Sequence, residues 1–222
     1  MRCTKHQPVV RLLAAAFGGL IYASASNAAT LSEMGVGGVG DFSNARLGPT
    51  DFVLDYTASN NGSFGFNILT GQFGRNTAGV VDLDYIHLSV PQGFALSQIL
   101  VGNQTTVGGN TAFIGLAAGA TMPVLANASS AAGLLGWDHF GIEDRGSDIL
   151  DDMAVPNAGS SGFSRPIPAG DYTVWLQELA GGGPYPYRLN FVVSPVPLPG
   201  ASWLLGSGML GLIWARRGMP LT

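Results

Sequence analysis

The amino-acid sequence predicts an all-β protein. Its body, residues 29–194, is expected to be a single jelly-roll-like β-sandwich, with a signal peptide before it and one transmembrane helix after it. Three observations predict this organisation. The body is rich in Gly, Asn, Ser and Thr, and only 11% of the whole chain is charged. Several short stretches alternate apolar and polar residues with period two, as half-buried strands do. Each end of the chain carries an apolar segment beside basic residues.

Residues 1–28 have the pattern of a secretory signal peptide. Basic residues lie within the first eleven positions, an apolar run covers residues 12–25, and Ser26 and Ala28 are the small residues that a signal peptidase reads. Cleavage is predicted after residue 28 or 29. Cys3, the single cysteine of the chain, is removed with this peptide. The exported body therefore has no disulfide, no thiolate nucleophile and no cysteine-bound metal.

The C-terminal segment, residues 195–222, has a proline-rich start, an apolar stretch and a basic end. Residues 201–215 are uncharged and apolar on every side, which favours a membrane-spanning helix over an amphipathic core helix. Such a helix would be roughly 22 Å long at ~1.5 Å per residue. The hydrocarbon core is ~30 Å thick, and the long side chains of Arg216 and Arg217 make up part of the difference. The same arginines place this end on the cytoplasmic side.

This tail resembles the PEP-CTERM sorting signal of Gram-negative bacteria. In that signal a Pro-containing triplet, a short apolar helix and an Arg cluster follow one another at the C-terminus. The residues that match it are Val196, Pro197, Leu198, Pro199, Gly200, Arg216 and Arg217. Leu198 stands where the eponymous Pro-Glu-Pro has Glu, which makes this the VPLP variant. The resemblance implies recognition by an exosortase, a membrane-embedded cysteine transpeptidase-like enzyme, and removal of the tail during export to the cell surface.

The body is acidic once both ends are set aside. Five of the ten Lys and Arg residues lie in the ends, whereas all 14 acidic residues lie between Glu33 and Glu178, so residues 29–194 carry a formal net charge of −9. This charge disfavours nucleic acid or an anionic membrane as a partner of the body. The body also contains no lysine, which excludes Schiff-base chemistry and P-loop phosphate binding.

Period-two alternation predicts seven strands in the body. They cover residues 52–57, 64–68, 82–90, 94–101, 112–116, 172–177 and 187–193. In the third of them Ile86, Leu88 and Val90 share one face, and Tyr85 and His87 lie on the other. The first two strands flank a turn signal at residues 60–62, and the last two form a hairpin around the loop at 181–186. The sequence does not decide whether the Ala- and Gly-rich residues 116–136 form a loop or a short helix, and this segment is left unassigned.

Two of these regions resemble the bacterial pre-peptidase C-terminal domain, a secreted β-sandwich. They are residues 82–93, which read DLDYIHLSVPQG, and residues 168–193, which begin PAGDYTVWLQE. In that family a D-x-D-Y strand ends in V-P-x-G, and a later P-A-G-x-Y-T strand leads into the final hairpin. The resemblance implies the sandwich fold and carries no ligand set.

An acidic segment at residues 137–152 is the first candidate for a metal site. Its predicted Ca²⁺ ligands are Asp138, Glu143, Asp144 and Asp148. Hard oxygen ligands in a loop suit Ca²⁺, although the spacing matches no EF-hand loop and a solvated acidic loop is the alternative. Asp82 and Asp84, at the entrance of a predicted strand, form a second candidate.

No catalytic motif is predicted. Residues 35–40 match G-x-G-x-x-G, but no buried strand precedes them and no helix follows, so the dinucleotide interpretation fails. His87 and His139 are the only histidines of the body, and no G-x-S-x-G elbow accompanies them. A pair of carboxylates assembled by the fold is not excluded by spacing. We therefore expect no enzyme.

These observations predict an exported protein of the cell envelope or cell surface. The expected partners are an exosortase, the membrane (through the C-terminal helix before processing) and extracellular polysaccharide. The body is expected to have a structural or adhesive role in the exopolysaccharide layer. The alternatives are a Ca²⁺-dependent carbohydrate-binding module, with exposed aromatic residues such as Trp175 or Tyr185, and a secreted hydrolase that would depend on His87, His139 or an acidic pair.

Overall fold

The computed structural model describes residues 29–33, 40–56, 67–75 and 78–196. These residues form an all-β protein, as predicted. The strands are β1 (Thr30–Ser32), β2 (Thr50–Phe52), β3 (Ile68–Arg75), β4 (Val81–Val90), β5 (Phe94–Val101), β6 (Ala112–Ala118), β7 (Gly136–Phe140), β8 (Gly170–Gln177) and β9 (Tyr185–Pro195). Between β7 and β8 lie a short 3₁₀ turn, Ile142–Asp144, and the six-residue helix α1, Ile149–Ala154.

The strands belong to one curled sheet with the order β5-β9-β3-β4-β8-β6-β7. Short β1 and β2 lie parallel to β3 and β4, and the other pairings are antiparallel. The hairpin strands β3 and β4 pair only where Gly74 faces Asp82 and Arg75 faces Val81. The sheet therefore divides there into a first half (β1, β3, β9, β5) and a second half (β2, β4, β8, β6, β7).

The main hydrophobic core lies between these two halves. The ring of Phe52, on β2, meets the ring of Phe191, on β9, edge-on at 5.7 Å between centroids. Phe73, on β3, contacts Phe140, on β7, at 6.2 Å. These four rings belong to one buried cluster that draws side chains from both halves. Because few backbone hydrogen bonds join the halves, this packing holds them together.

Strand β4 is buried along most of its inner face and partly covered on its outer face. Its inner face carries Ile86, Leu88 and Val90 into the main core, as the alternation predicts. On its outer face, Tyr85 joins a second, smaller cluster. Residues from the segment between β6 and β7, among them Met122, cover that outer face. The region that the sequence left unassigned therefore packs over the sheet.

Most predicted strands are confirmed, and three predictions need correction. The last two predicted strands do not form a hairpin, because the loop at 181–186 crosses from one half of the sheet to the other: β8 pairs with β4 and β6, whereas β9 pairs with β3 and β5. The predicted strand over residues 52–57 stops at Phe52, although its sidedness is correct: Phe52 is 3% exposed and Val53 is 81% exposed. The predicted acidic loop begins with strand β7, which pairs with β6. Within the predicted strand 64–68, residues 64–66 lie outside the described residues, and Ile68 begins β3.

Both predicted terminal segments also lie outside the described residues. These are the signal peptide at 1–28 and the transmembrane helix at 201–215 with Arg216 and Arg217. The same holds for Pro197, Leu198, Pro199 and Gly200, whereas Val196 is described. Within the described part of the chain, no helix has the length and apolar character needed to cross a bilayer.

The contrast between two adjacent residues tests the packing between the halves. Phe52→Ala should lower the free energy of unfolding by about 3–5 kcal/mol, because it removes a buried ring from the core. Val53→Ala should change it by less than about 0.5 kcal/mol, because that side chain is exposed. Urea unfolding followed by circular dichroism measures both. Equal effects of the two substitutions would contradict a core between the halves.

Candidate functional site

The predicted Ca²⁺ ligands of residues 137–152 are distributed over three elements. Asp138 lies in β7, where Trp137 and His139 point to the outer face of the sheet and Phe140 is buried on the inner one. Glu143 and Asp144 lie in the 3₁₀ turn, and Asp148 is the N-cap of α1. Residues 137–140 do not alternate apolar and polar side chains, because Trp137 and Phe140 lie on opposite faces, so the sequence pattern gave no strand signal here.

Two of these carboxylates are already satisfied by protein donors. The Oδ1 atom of Asp148 accepts from the backbone N–H of Ile99 at 3.0 Å and of Leu150 at 3.1 Å, and its Oδ2 accepts from the guanidinium of Arg165. Asp144 accepts from the backbone N–H of Gly141 at 2.7 Å. These bonds fix α1 and the 3₁₀ turn to the sheet. The four predicted ligands do not form one of the close carboxylate groups found in the described part of the chain.

A different set of acids does converge. Glu33, Asp41, Asp82 and Asp84 each offer an oxygen, and these oxygens all lie within 4.8 Å of one another. We call this group the acidic cluster. Glu33 and Asp84 are buried, Asp82 is half-buried and Asp41 is exposed, so the cluster opens to solvent on one side. Asp82 and Asp84 were the second candidate from the sequence, whereas Glu33 and Asp41 were not predicted.

Local structure explains why these side chains meet. Asp82 and Asp84 occupy the inner face of β4, because they continue the period-two series of Ile86 and Leu88. Glu33 directly follows β1, and its own N–H extends the ladder to the carbonyl of Thr70 at 3.0 Å. The alternation of β4 could have identified Asp84 as a buried acid from the sequence alone. No local pattern connects it to Glu33, which is distant in the chain.

The Glu33 carboxylate is held by backbone donors. Its Oε1 accepts from the N–H of Phe42 at 3.1 Å, and its Oε2 accepts from the N–H of Gln72 at 2.5 Å. At the open side, the Nδ2 of Asn44 lies 3.5 Å from Oδ2 of Asp41 and 3.4 Å from Oδ1 of Asp82. Backbone N–H groups thus hold the cluster at Glu33, and the side-chain amide of Asn44 holds it at the open side.

Asp84 is the deepest member. Its side chain is fully buried, and Oδ2 accepts a 2.8 Å hydrogen bond from the hydroxyl of Tyr187, on β9. The Tyr187 ring stacks on Phe73 at 4.9 Å. Gly71 makes room for that hydroxyl, since a Cβ at this position would lie 2.5 Å from it. Oδ1 of Asp84 is buried and has no hydrogen-bond partner among the described residues.

The acidic cluster lacks a basic partner. In the described part of the chain, the ion pairs are made by His87 and Arg165, and neither reaches the cluster. Burial, with the neighbouring Glu33 carboxylate, raises the pKa of Asp84 to about 9. Burial also raises the pKa of Glu33 to about 7 and the pKa of Asp82 above its ordinary value. Glu33, Asp82 and Asp84 are therefore all harder to ionise than ordinary carboxyl groups.

A second feature, on the outer face of the second half of the sheet, is a groove lined by aromatic side chains. Strand register places Tyr85, Trp175, Gly115 and Trp137 in one row, and Phe113 and His139 lie in the next. Phe113 lies 4.6 Å from Trp175 and 6.0 Å from Trp137 between ring centroids. The groove has a volume of about 350 Å³, and Ser129 and Ser130 close its other side. We call it the aromatic groove.

Polar groups in the aromatic groove are only partly satisfied. Trp137 is half-buried and donates its indole N–H to the carbonyl of Ala158 at 3.2 Å. Trp175 is 6% exposed, so it forms the floor of the groove and is not the exposed aromatic that the sequence suggested. Its Nε1, and Oε1 of the neighbouring Gln177, are buried without a hydrogen-bond partner in the described part of the chain. Tyr185 lies on β9, in the first half of the sheet.

The two histidines of the body lie apart. His87 is held between two acids: Nδ1 lies 2.6 Å from Oδ1 of Asp51, and Nε2 lies 3.3 Å from Oδ1 of Asp171. Both ring nitrogens therefore face carboxylates of neighbouring strands. His139 lies at the aromatic groove, edge-on to the ring of Trp137 at 5.4 Å.

Comparison of the chain with protein-family models, with curated proteins and with solved structures finds no match. The acidic cluster and the aromatic groove are therefore interpreted from their own chemistry. The same holds for the predicted C-terminal sorting signal.

The pKa shifts in the acidic cluster predict an unusual pH dependence of stability without added divalent cations. Between about pH 5 and the raised pKa values of about 7 for Glu33 and about 9 for Asp84, the folded protein retains protons that the unfolded chain has lost. Stability should therefore fall as the pH rises, by up to ~1.4 kcal/mol per pH unit for each retained proton. Urea unfolding at pH 5.5, 7 and 8.5 measures this.

Asp84→Asn should remove the part of the decline above pH 7, because Asn does not titrate. The exposed carboxylate of Asp152 offers a matched control, and Asp152→Asn should leave the decline in place. A wild-type protein whose stability is constant or rises from pH 7 to 8.5 would contradict the prediction.

Proposed function

We propose that the protein is exported and sorted to the cell surface by an exosortase, and that its body has a structural or adhesive role in the exopolysaccharide layer. The observation that carries the proposal is the order of the C-terminal residues: a VPLPG segment at 196–200, an uncharged apolar stretch, and Arg216 with Arg217. The body is proposed to be a jelly-roll-like β-sandwich. Its curled sheet, with a core between two halves, supports this more specific assignment.

The end of the body is compatible with such a signal. Strand β9 runs to Pro195, and the N–H of Val196 donates to the carbonyl of Gly93 at 2.8 Å. Val196 is 45% exposed. The signal therefore begins at the surface, directly after the last strand, where an enzyme can reach the chain. Alternating prolines at 195, 197 and 199 also favour an extended backbone.

Features of the body favour a binding or structural role over catalysis. His87 has a carboxylate at each ring nitrogen, so neither nitrogen is directed at a nucleophile. The body has no lysine and few other charges, and its surface faces are built on strands. These observations support the proposal that the body is not an enzyme.

Substitutions in the signal test the sorting proposal. In a host that has an exosortase, Pro197→Ala combined with Pro199→Ala should leave export intact and block processing, because the cleaved segment loses its fixed extended backbone. The protein should accumulate in the membrane fraction as a precursor that retains the tail. Immunoblots of membrane and surface fractions measure this. Pro156→Ala, at an exposed proline of the body, is the control and should be processed normally.

If the doubly substituted protein is trimmed and reaches the surface like the wild type, the tail is a membrane anchor only, and the sorting proposal fails.

The aromatic groove favours a second function, carbohydrate binding by the body. Aromatic ring faces pack against the C–H faces of sugar rings, and Trp137 and Phe113 line the groove. The buried Nε1 of Trp175 and Oε1 of Gln177 add a donor and an acceptor next to these rings. A groove of about 350 Å³ lies in the size range of small-ligand sites. This function would give the adhesive role a molecular basis.

Affinity electrophoresis in gels that contain the host's own exopolysaccharide tests this second function. Trp137→Ala should weaken retardation, corresponding to about a tenfold or larger loss of affinity, because it removes a central aromatic contact. Trp137→Phe should retain most of the binding, since it keeps a ring in the groove. Val53→Ala, at an exposed residue directly after β2, is the control and should be retarded like the wild type. Equal retardation of the wild type and Trp137→Ala would exclude the groove as the binding site.

A further inference from the structure

We propose that the acidic cluster is a Ca²⁺ site. In it, Glu33, Asp41, Asp82 and Asp84 bind one ion that ties the N-terminal strand of the body to β4. This site is distinct from the acidic segment at 137–152 that the sequence suggested. It goes beyond the proposed sorting and adhesive function, and its test is independent of them.

The donor set selects the class of ion. All four groups are carboxylates, and the cluster contains no histidine or cysteine. Oxygen donors suit hard cations, whereas Zn²⁺ and Cu²⁺ sites are usually built with nitrogen or sulfur. Ca²⁺ tolerates irregular geometry, and oxygens on opposite sides of the ion are about 4.8 Å apart at bond lengths of ~2.4 Å. The observed spread of the oxygens, within 4.8 Å, fits around one such ion.

Asp84 provides an independent indication that the cluster takes a ligand. Its side chain is 0% exposed, and its Oδ2 is bonded to Tyr187 while its buried Oδ1 has no partner among the described residues. A buried carboxylate oxygen without a partner is costly, and buried charges in proteins are normally paired or bound to metals. A cation bound in the cluster would give Oδ1 the partner that it lacks.

No arginine of the body is positioned to neutralise the acidic cluster. Its five arginines are all described, and their guanidinium groups bond elsewhere. Arg46 bonds to Met122, Arg75 to Leu179 and Gly79, Arg145 to Thr105, Arg165 to Asp148 and Asp151, and Arg188 to Asn190. The body also has no lysine. The countercharge for four converging carboxylates must therefore come from protons or from a bound cation.

The shape of the cluster permits an ion to enter and to complete its shell. Asp41 is exposed and Asp82 half-buried, so the open side faces solvent, while Glu33 and Asp84 close the other side. Ca²⁺ takes six to eight oxygens, and water can supply those that the carboxylates do not. The Glu33 oxygens accept from backbone N–H groups and retain further lone pairs for a cation.

Isothermal titration calorimetry of the full-length protein in mild detergent, with CaCl₂ as the titrant, tests the proposal. The wild type should bind one Ca²⁺ per chain, and MgCl₂ should compete weakly because Mg²⁺ demands a compact octahedral shell. Asp82→Asn and Asp84→Asn should each weaken Ca²⁺ binding about tenfold or more, since affinity follows the number of charged ligands. Glu143→Gln, in the acidic segment of the earlier prediction, is the matched control and should bind like the wild type.

Thermal unfolding gives a second readout that does not depend on one variant. Millimolar CaCl₂ should raise the Tm of the wild type and of Glu143→Gln by mass action, and should leave the Tm of Asp82→Asn nearly unchanged. If Asp84→Asn fails to fold, Asp82→Asn and Asp41→Asn, at the open side, decide the question. The proposal is overturned if the wild type shows neither binding heat nor a Tm shift. It is also overturned if Glu143→Gln loses the shift while Asp82→Asn keeps it.

Discussion

The two halves of the curled sheet have to be held together mainly by side chains, because β3 and β4 share only two residue pairs at the corner between them. Apolar rings such as Phe52 and Phe191 do this through most of the core. Near the corner, the hydrogen bond from Tyr187 on β9 to Asp84 on β4 joins the halves through polar groups. The acidic cluster contains Glu33 from one half and Asp84 from the other. Repulsion between ionised carboxylates in the cluster therefore acts against the contact between the two halves.

The sequence predicted the strands well where one face is apolar and the other polar. Alternation placed β4, β5, β8 and β9, and it assigned the opposite exposure of Phe52 and Val53 correctly. It failed at β7, where acidic residues resemble a solvated loop although Phe140 enters the core. It also could not assemble the acidic cluster, because the contact between Glu33 and β4 depends on tertiary structure. The sorting signal, by contrast, is local in sequence and remains a prediction.

Strand β4 connects the two candidate sites, since it carries one on each face. Asp84 points inward to the acidic cluster, and its neighbour Tyr85 points outward, where it stacks on Trp175 at 6.0 Å. The same backbone segment therefore positions a buried acid and an aromatic side chain next to the groove. A Ca²⁺ ion bound at the cluster would order this segment, and the outer face of β4 would be ordered with it. Ion binding and ligand binding would then share one structural element although they occupy opposite faces.

The position of β9 has a mechanical consequence for a surface protein. This strand lies between β5 and β3 and ends at Pro195, immediately before the segment through which the chain would be attached. A pull directed along the axis of β9 would load the hydrogen bonds to both neighbours together in shear and would not open them one at a time. Resistance to such a pull is set by the unfolding rate and not by the equilibrium stability. If the protein is attached at this end as proposed, β9 would be the strand that first carries such a load.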